Sequence, residues 1–115
     1  MNHAFAASVR QNSGLAIIDL SGEINAFADQ ELASAYSEAE QTGTANIVLN
    51  FSQVSYINST GIALIVGLLA NARKSNRKLV VFGLSDHYLE IFNITRLADF
   101  MNIYSDEASV LAETV

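Results

Sequence analysis

The alternation of hydrophobic and polar positions predicts nine regular elements in the order β-β-α-β-α-β-α-β-α. Runs rich in β-branched and other apolar residues predict strands, and apolar residues recurring every three to four positions predict helices. The predicted strands cover residues 5–11, 15–20, 46–51, 79–84 and 101–104. The predicted helices cover residues 29–41, 59–75 and 85–93, and a last helix opens at residues 105–107.

The predicted helix at residues 59–75 has the strongest periodic pattern of the chain. Its apolar side chains form two stripes, one with Ile62, Ile65, Val66 and Leu69 and the other with Leu64 and Leu68. A helix that is apolar all round is usually buried, so most of this helix is predicted to lie in the core. Ser85 is the predicted N-cap of the next helix. That helix is predicted to face inward with Leu89, Ile91 and Phe92.

Alternating strands and helices predict an α/β fold with a mostly parallel sheet of four to five strands, an N-terminal hairpin strand and about four helices. The hairpin turn is predicted at residues 12–14, where Gly14 can adopt a positive φ. Right-handed crossovers place the carboxyl ends of successive parallel strands along one edge of the sheet. Partners and ligands tend to bind at that edge, which here comprises residues 21–27, 52–61 and 84–87.

The length and charge of the chain narrow the classes of function. With 115 residues, half of them hydrophobic, it is predicted to form a single domain over residues 1–115. The net charge of −6 argues against nucleic acid as a partner, because phosphate backbones repel an acidic protein. The most apolar segment, residues 61–70, is too short to span a bilayer, and residues 1–11 lack the features of a signal peptide. A cytoplasmic protein without a membrane partner is therefore expected.

Few residues indicate enzyme chemistry or a bound cofactor. His3 and His87 lie far apart in the sequence, and neither cysteines nor suitably spaced carboxylates accompany them, which argues against a metal site. No glycine-rich phosphate loop or dinucleotide fingerprint occurs, so no cofactor is expected. Ser59, Asp86 and His87 all fall on the predicted edge, but three such residues meet there easily by chance. An enzyme is therefore not the favoured interpretation.

The most informative segment is the predicted connection between strand 46–51 and helix 59–75, which is seven residues long. It leads into Asn58, Ser59 and Thr60 at the start of the helix. Asn, Ser and Thr are preferred helix caps. Local sequence preferences by themselves therefore indicate only that one of these three residues caps the helix.

Three segments in order resemble the STAS domain family, in particular its anti-sigma factor antagonists. The family pattern is L-D-L-S on a strand followed by D-S-S-G or D-S-T-G, and this chain has LNFS at 49–52 and NSTG at 58–61. LSGEIN at 20–25 resembles the family's L-x-G-E-I/L-D. LEIFNITRL at 89–97 resembles its L-x-x-x-F-x-x-x-G-L. The resemblance covers nearly the whole chain.

This resemblance implies a STAS fold and a switch controlled by phosphorylation. In the family, the unphosphorylated protein binds an anti-sigma factor, often a serine kinase with a histidine-kinase-like ATPase fold, and a sigma factor is released. The kinase phosphorylates the serine of the motif, which is Ser59 here, and a PP2C-type phosphatase reverses the modification. The expected partner-binding residues are Asn25, Phe27, Tyr56, Asn58, Ser59, Thr60 and Gly61.

Several of these residues have a second interpretation. Thr60 is either a second phosphorylation site or a residue of the helix start. Phe27 is either exposed for a partner or packed under the first helix. Tyr56 and Ile57 are candidates for packing against a partner. Burial of the predicted connection would explain the apolar side chain of Ile57 equally well. His87 is expected to be a helix-start residue rather than a ligand.

Asparagine stands at three positions where the family commonly has aspartate, namely Asn25, Asn50 and Asn58. Asn50 lies in a strand and is expected to act structurally. Asn25 and Asn58 keep the shape and hydrogen-bonding groups of aspartate but cannot pair with a basic residue of a kinase. The missing charge counts against Ser59 as a kinase substrate, whereas Asn58 as a cap would leave the Ser59 hydroxyl free.

Two other classes of function compete with the switch. One is a STAS scaffold or interaction module in a signalling or transport assembly, which is never phosphorylated. The other is a small-ligand or nucleotide binder at the same edge, against which the missing phosphate loop counts. The Ser59-Thr60-Gly61 sequence favours the switch, and the asparagines favour the scaffold.

Overall fold

The computed structural model of the chain describes residues 4–114, and the predicted order of elements is confirmed. The strands are β1 (Ala6–Asn12), β2 (Leu15–Ile24), β3 (Asn46–Ile57), β4 (Lys78–Phe82) and β5 (Asn102–Tyr104). The helices are α1 (Asp29–Gln41), α2 (Ser59–Lys74), α3 (Asp86–Ile94) and α4 (Glu107–Thr114). Two 3-10 turns, Ala26–Ala28 and Leu97–Asp99, precede α1 and follow α3. The N-terminal His3 lies outside the described residues.

The five strands form one sheet in the order β1-β2-β3-β4-β5. The first pair is antiparallel and the other three are parallel, as the alternation of elements predicted. Ser13 and Gly14 both have positive φ, at 53° and 81°, which is the type I′ turn that suits a two-residue hairpin loop.

Helices cover both faces of the sheet, but unequally. Buried residues of α1, α2 and α3 form one hydrophobic cluster with one face of the sheet, and Phe92 is among its largest fully buried members. On the other face, Val110 of α4 packs in a smaller cluster with Ile17, Val48 and Val80. The main core therefore lies between the sheet and α1–α3, as right-handed crossovers require.

The structure corrects three predictions. Residues 52–57 are not a connection, because β3 continues through them and only Asn58 separates β3 from α2. Helix α2 is buried on one face only, and its outward face includes exposed Val66. In α3, Leu89 was predicted to face inward but is 37% exposed, and Tyr88 is buried instead. A helix that packs on a sheet buries only one side, and that side includes Tyr88 and not Leu89.

A polar network joins α4 to the sheet on the smaller face. Arg10 donates to both carboxylate oxygens of Glu107, at 2.6 and 2.9 Å, and to both of Asp19, at 2.6 and 3.1 Å. Asn50 donates to Asp19 at 2.8 Å and accepts from the backbone N–H of Ser52 at 2.9 Å. The structural role predicted for Asn50 is thus confirmed by its hydrogen bonds.

The network changes the pKa values of its carboxyl groups. Hydrogen bonds from Arg10 and then Asn12 lower the pKa of Glu107 to about 2. Burial alone would raise the pKa of Asp19, but the hydrogen bonds from Arg10 and Asn50 outweigh it, and the net pKa is lowered. Both groups therefore stabilise the fold in their ionised forms.

We predict that Glu107→Gln lowers the melting temperature at pH 7 and that its difference from the wild type shrinks as the pH falls. The folded-state pKa of Glu107 is below its ordinary value of 4.5, so its contribution is complete above that value and is lost as the pH approaches about 2. Thermal melts followed by circular dichroism across this range measure the effect. Glu113→Gln, on the exposed part of α4, is the control. A difference in melting temperature that does not depend on pH would contradict the prediction.

Candidate functional site

The predicted edge is built on a two-stranded extension of the sheet. Strand β4 ends at Phe82, which pairs with Asn50, whereas β3 continues to Ile57 and stays paired with β2 up to Ile24. The β2–β3 register shifts twice along this extension, which is characteristic of β-bulges and adds twist. The ends of β2 and β3 therefore project beyond the sheet and carry α2 and the turn before α1.

At the end of β3, the Tyr88 side chain bonds backbone groups that have no neighbouring strand on the β4 side. Its phenolic oxygen accepts a hydrogen bond from the N–H of Ile57 at 2.8 Å and donates to the carbonyl oxygen of Ile57 at 3.4 Å. Ile57 and Tyr88 are both buried, so these backbone groups would otherwise be cut off from water without a partner. The first turn of α3 is thereby tied to the last residue of β3.

Asn58 is the residue that starts α2. Its backbone is extended, and its side-chain oxygen accepts from the N–H of Gly61 at 2.8 Å. Ser59 and Thr60 occupy the first turn and are both exposed. The Ser59 hydroxyl has no recorded hydrogen-bond partner between residues 4 and 114. The capping role that three residues could have filled belongs to Asn58.

Gly61 brings the start of α2 against the end of β2. A Cβ atom at this position would lie 2.1 Å from the carbonyl oxygen of Ile24, closer than any real contact. The same oxygen accepts from the N–H of Asn58 at 3.2 Å. Gly61 is therefore a structural residue, which holds Ser59 at a fixed place beside β2.

Phe27 and Tyr56 supply exposed aromatic surface on the segments next to α2. Asn25 caps the Ala26–Ala28 turn by accepting from the N–H of Phe27 at 3.0 Å. The Phe27 side chain is 93% exposed, which excludes its packing under α1. Tyr56, at the end of β3, is 52% exposed, while its neighbour Ile57 is buried.

The third segment of the edge, residues 84–87, forms the start of α3. Ser85 caps α3 by accepting from the N–H of Tyr88 at 3.3 Å, as predicted. The ring of exposed His87 packs edge-on against Tyr88, with centroids 4.8 Å apart. No hydrogen bond is recorded among Ser59, Asp86 and His87 in the described part of the chain, and they do not form a catalytic triad there.

The surroundings of Ser59 contain few charges. Residues 56–62 contain none, and residues 25–28 contain none before Asp29 opens α1. Among residues 4–114, no group of three or more His, Cys, Asp or Glu side chains could hold a metal ion. Within the same range, no helix is long and apolar enough to cross a membrane. Residues 25–28 and 56–62 are thus uncharged and partly aromatic, whereas the rest of the edge carries Glu23, which is opposite Tyr56 in the β2–β3 register, and Asp86.

Comparison with known proteins identifies the family. The STAS domain model matches residues 6–110. The chain belongs to the STAS domain family. The anti-sigma-B factor antagonist of Staphylococcus aureus (strain NCTC 8325 / PS 47) is 34% identical over 86 residues, which are 75% of this chain and 80% of that protein.

Solved structures of STAS proteins share the fold. An anti-sigma factor antagonist from Mycobacterium paratuberculosis superposes with a TM-score of 0.81 at 17% identity, covering 95% of this chain and 92% of the other. The anti-sigma factor antagonist SpoIIAA in its unphosphorylated form gives a TM-score of 0.71 at 19% identity, covering 97% and 100%. The phosphorylated form of the Bacillus protein SpoIIAA gives 0.69 at 21%, covering 95% and 98%. The STAS fold predicted from the sequence is confirmed.

Sequence reasoning did not identify Tyr88 as a residue that builds the edge. Its hydroxyl acts on a backbone group 31 positions earlier, and no local pattern signals such a contact. The available signal was the position of Tyr88 three residues after the predicted cap Ser85. A tyrosine ring that is buried there leaves its hydroxyl group in need of a hydrogen-bond partner.

We predict that Tyr88→Phe lowers the free energy of unfolding by about 1–3 kcal/mol, the cost of leaving a buried N–H unpaired. Chemical denaturation measures the change. Tyr56→Phe removes a hydroxyl from an exposed ring with no recorded bond, so that variant should unfold like the wild type. Equal stability of the two variants would show that the Tyr88 hydroxyl does not support β3.

We also predict that Gly61→Ala destabilises the fold by about 3 kcal/mol or more, the upper end of overpacking effects, because the new methyl group meets a backbone carbonyl. Denaturant unfolding gives the magnitude. Thr60→Ala, one residue earlier and exposed, is the matched control and should change stability by no more than about 0.5 kcal/mol. A Gly61→Ala variant as stable as the control would refute the close approach of α2 to β2.

Proposed function

We propose that this STAS protein is an anti-sigma factor antagonist whose binding is switched off by phosphorylation of Ser59. The observation that carries the proposal is that the helix cap and the exposed serine are different residues at the start of α2. Asn58 caps the helix, so the Ser59 hydroxyl is exposed and has no recorded bond in the described chain. The 34% identity to a protein named anti-sigma-B factor antagonist supports the class of partner. The role is that of a regulatory binding protein in the cytoplasm, rather than an enzyme.

The proposed partner is an anti-sigma factor that is also a serine kinase with a histidine-kinase-like ATPase fold. It binds the edge that surrounds Ser59, through Phe27 and Tyr56 as exposed aromatic contacts and through Thr60 beside the serine. Exposed aromatic residues with few charges are favourable at the centre of an interface. Asn25, Asn58 and Gly61 shape this surface through their backbone contacts. A PP2C-type phosphatase removes the phosphate.

The proposed switch is electrostatic. A phosphate on Ser59 adds about −1.5 to −2 charges. It lies at the N-terminus of α2, where free N–H groups and the helix dipole favour an anion, so the fold tolerates it. Residues 56–62 offer no lysine or arginine to neutralise it. The dianion therefore stays exposed to the partner, and a surface that fits a neutral hydroxyl loses affinity.

The asparagine at position 58 is compatible with this proposal. Its cap uses the side-chain oxygen as an acceptor, which an aspartate would also provide. What it lacks is the negative charge that could pair with a cation of the kinase. Asn58→Asp should therefore leave the fold unchanged and raise the phosphorylation rate if that charge takes part in the transfer.

The alternative function is a STAS scaffold in a signalling or transport assembly that is never phosphorylated. Asn25 and Asn58 favour it, because both act as caps in this chain and neither carries a charge. Mass spectrometry of the protein from its native cells, at rest and under stress, separates the two functions. A phosphate on Ser59 that changes with conditions supports the switch, and a chain that is always unmodified supports the scaffold.

We predict that Ser59→Asp weakens binding to the kinase of the same organism about tenfold or more, which corresponds to a loss of about 1.4 kcal/mol. Ser59→Ala should bind like the unphosphorylated wild type and resist phosphorylation. Isothermal titration calorimetry measures both affinities. Ser34→Asp, which adds the same charge to the exposed middle of α1, is the control and should keep full affinity. Unchanged affinity of Ser59→Asp would rule out the electrostatic mechanism.

A further inference from the structure

A cavity of about 340 Å³ lies at the end of the sheet opposite Ser59. It is bordered by the last turns of α2, the start of β4 and the turn that leads from α3 into β5. Its apolar wall consists of side chains that are at most 7% exposed, namely Leu69, Leu79 and Met101. Arg73 lies near the end of α2, which begins at Ser59, and the rise of the helix separates the two residues by about 21 Å. The cavity is therefore separate from the surface around Ser59.

Cations line this cavity in a chain whose net charge is −6. They are Arg73, Arg77 and Lys78. Arg77 is already paired within the chain, because its guanidinium group donates to the side chain and to the backbone carbonyl of Glu40, at 3.5 and 3.3 Å. Asp99, the acid in the lining, accepts from Arg96 at 2.6 Å. Arg73 and Lys78 form no ion pair between residues 4 and 114, so the cavity has an excess of positive charge.

Arg73 is held in place without the use of its hydrogen-bond donors. Its guanidinium carbon lies 5.2 Å from the centroid of the Phe100 ring, which is a cation–π contact. Within the described residues, its side-chain N–H groups have no recorded hydrogen-bond partner. A ring against the face of a guanidinium group leaves its edge open, and that edge matches the two oxygens of a carboxylate. The aromatic contact therefore orients an unused anion receptor beside the cavity.

The helix end alone does not account for this arrangement. Cations at a helix C-terminus interact favourably with its dipole, and this applies equally to Arg73 and Lys74. Lys74 is also exposed, but it does not line the cavity, and no aromatic contact of it is recorded in residues 4–114. The Phe100 side chain is 54% exposed, so burial in the core does not explain its position over Arg73. The dipole thus explains the charge at the end of α2, and not the cavity or the ring contact.

We propose that the cavity binds a small carboxylate with an apolar body. The carboxylate accepts hydrogen bonds from the guanidinium group of Arg73. The apolar body lies against Leu69, Leu79 and Met101. Small-molecule sites combine such an apolar wall with a few placed polar groups, and this volume is at the lower end of their range. A single carboxylate is favoured over a multiply charged anion, because the net charge of the chain repels each further negative charge.

Titration of the isotope-labelled full chain with phenylacetate, followed by two-dimensional NMR, tests the proposal. We expect saturable chemical-shift changes at the Arg73 side chain and at the backbone amides of Leu79 and Met101. Phenylacetamide has the same apolar body without the charge, and acetate has the charge without the body. Each of these two compounds should bind about tenfold more weakly than phenylacetate, or weaker still.

A pair of variants separates the receptor from the general charge of the helix end. Arg73→Gln should weaken phenylacetate binding about tenfold or more, because the guanidinium group is lost. Lys74→Gln removes the same charge from the next residue, outside the cavity, and should keep full affinity. Both residues are exposed, so both variants should fold, and the NMR spectra without ligand verify this.

Three results would overturn the proposal. They are the absence of saturable binding, equal binding of phenylacetamide and phenylacetate, and equal affinities of the two variants. No kinase or sigma-factor pathway takes part in these measurements, so a failure of phosphorylation at Ser59 would not affect their outcome.

Discussion

The contact between Gly61 and the carbonyl group of Ile24 is the constraint on which the functional edge depends. It allows α2 to begin directly against the end of β2, where the same carbonyl accepts the N–H of Asn58. Because β2 and β3 are paired to their last residues, the helix start is fixed to the most projecting part of the sheet. Tyr88 holds β3 from the other side. Ser59 is therefore exposed on a rigid support rather than on a flexible loop.

This rigidity favours a switch that acts through charge and not through a change of conformation. The hydrogen bonds that build the edge join backbone groups to Asn58, Tyr88 and Asn25, and none of them uses the Ser59 hydroxyl. Adding a phosphate there removes no bond of the fold, and the helix N-terminus stabilises the anion. The effect of such a modification would then be confined to whatever partner contacts the surface.

Much of this could be predicted from the sequence because the relevant signals are local. The bounds of α1 follow from apolar spacing, and the hairpin turn follows from Gly14. The continuation of β3 through residues 52–57 could not be predicted, because these residues pair with a strand on one side only and their exposed polar side chains resemble a loop. The Tyr88 contact was also missed, since it joins residues 31 positions apart. The cap of α2 could not be assigned either, because Asn58, Ser59 and Thr60 are all of residue types that cap helices. Only the backbone geometry shows that the cap is Asn58.

The error about the burial of α2 has a different physical origin. Hydrophobic periodicity measures which side chains avoid water, and it does not distinguish a core from an interface. Ile65 and Leu68 satisfy that preference inside this chain, whereas Val66 does not. Gly67 lies next to Val66 on the same outward face, where a Cβ atom would meet nothing within 4 Å. The same helix therefore displays a serine at its start and has no charge from Ser59 to Asn71, which is why its apolar pattern overstated how much of it is buried.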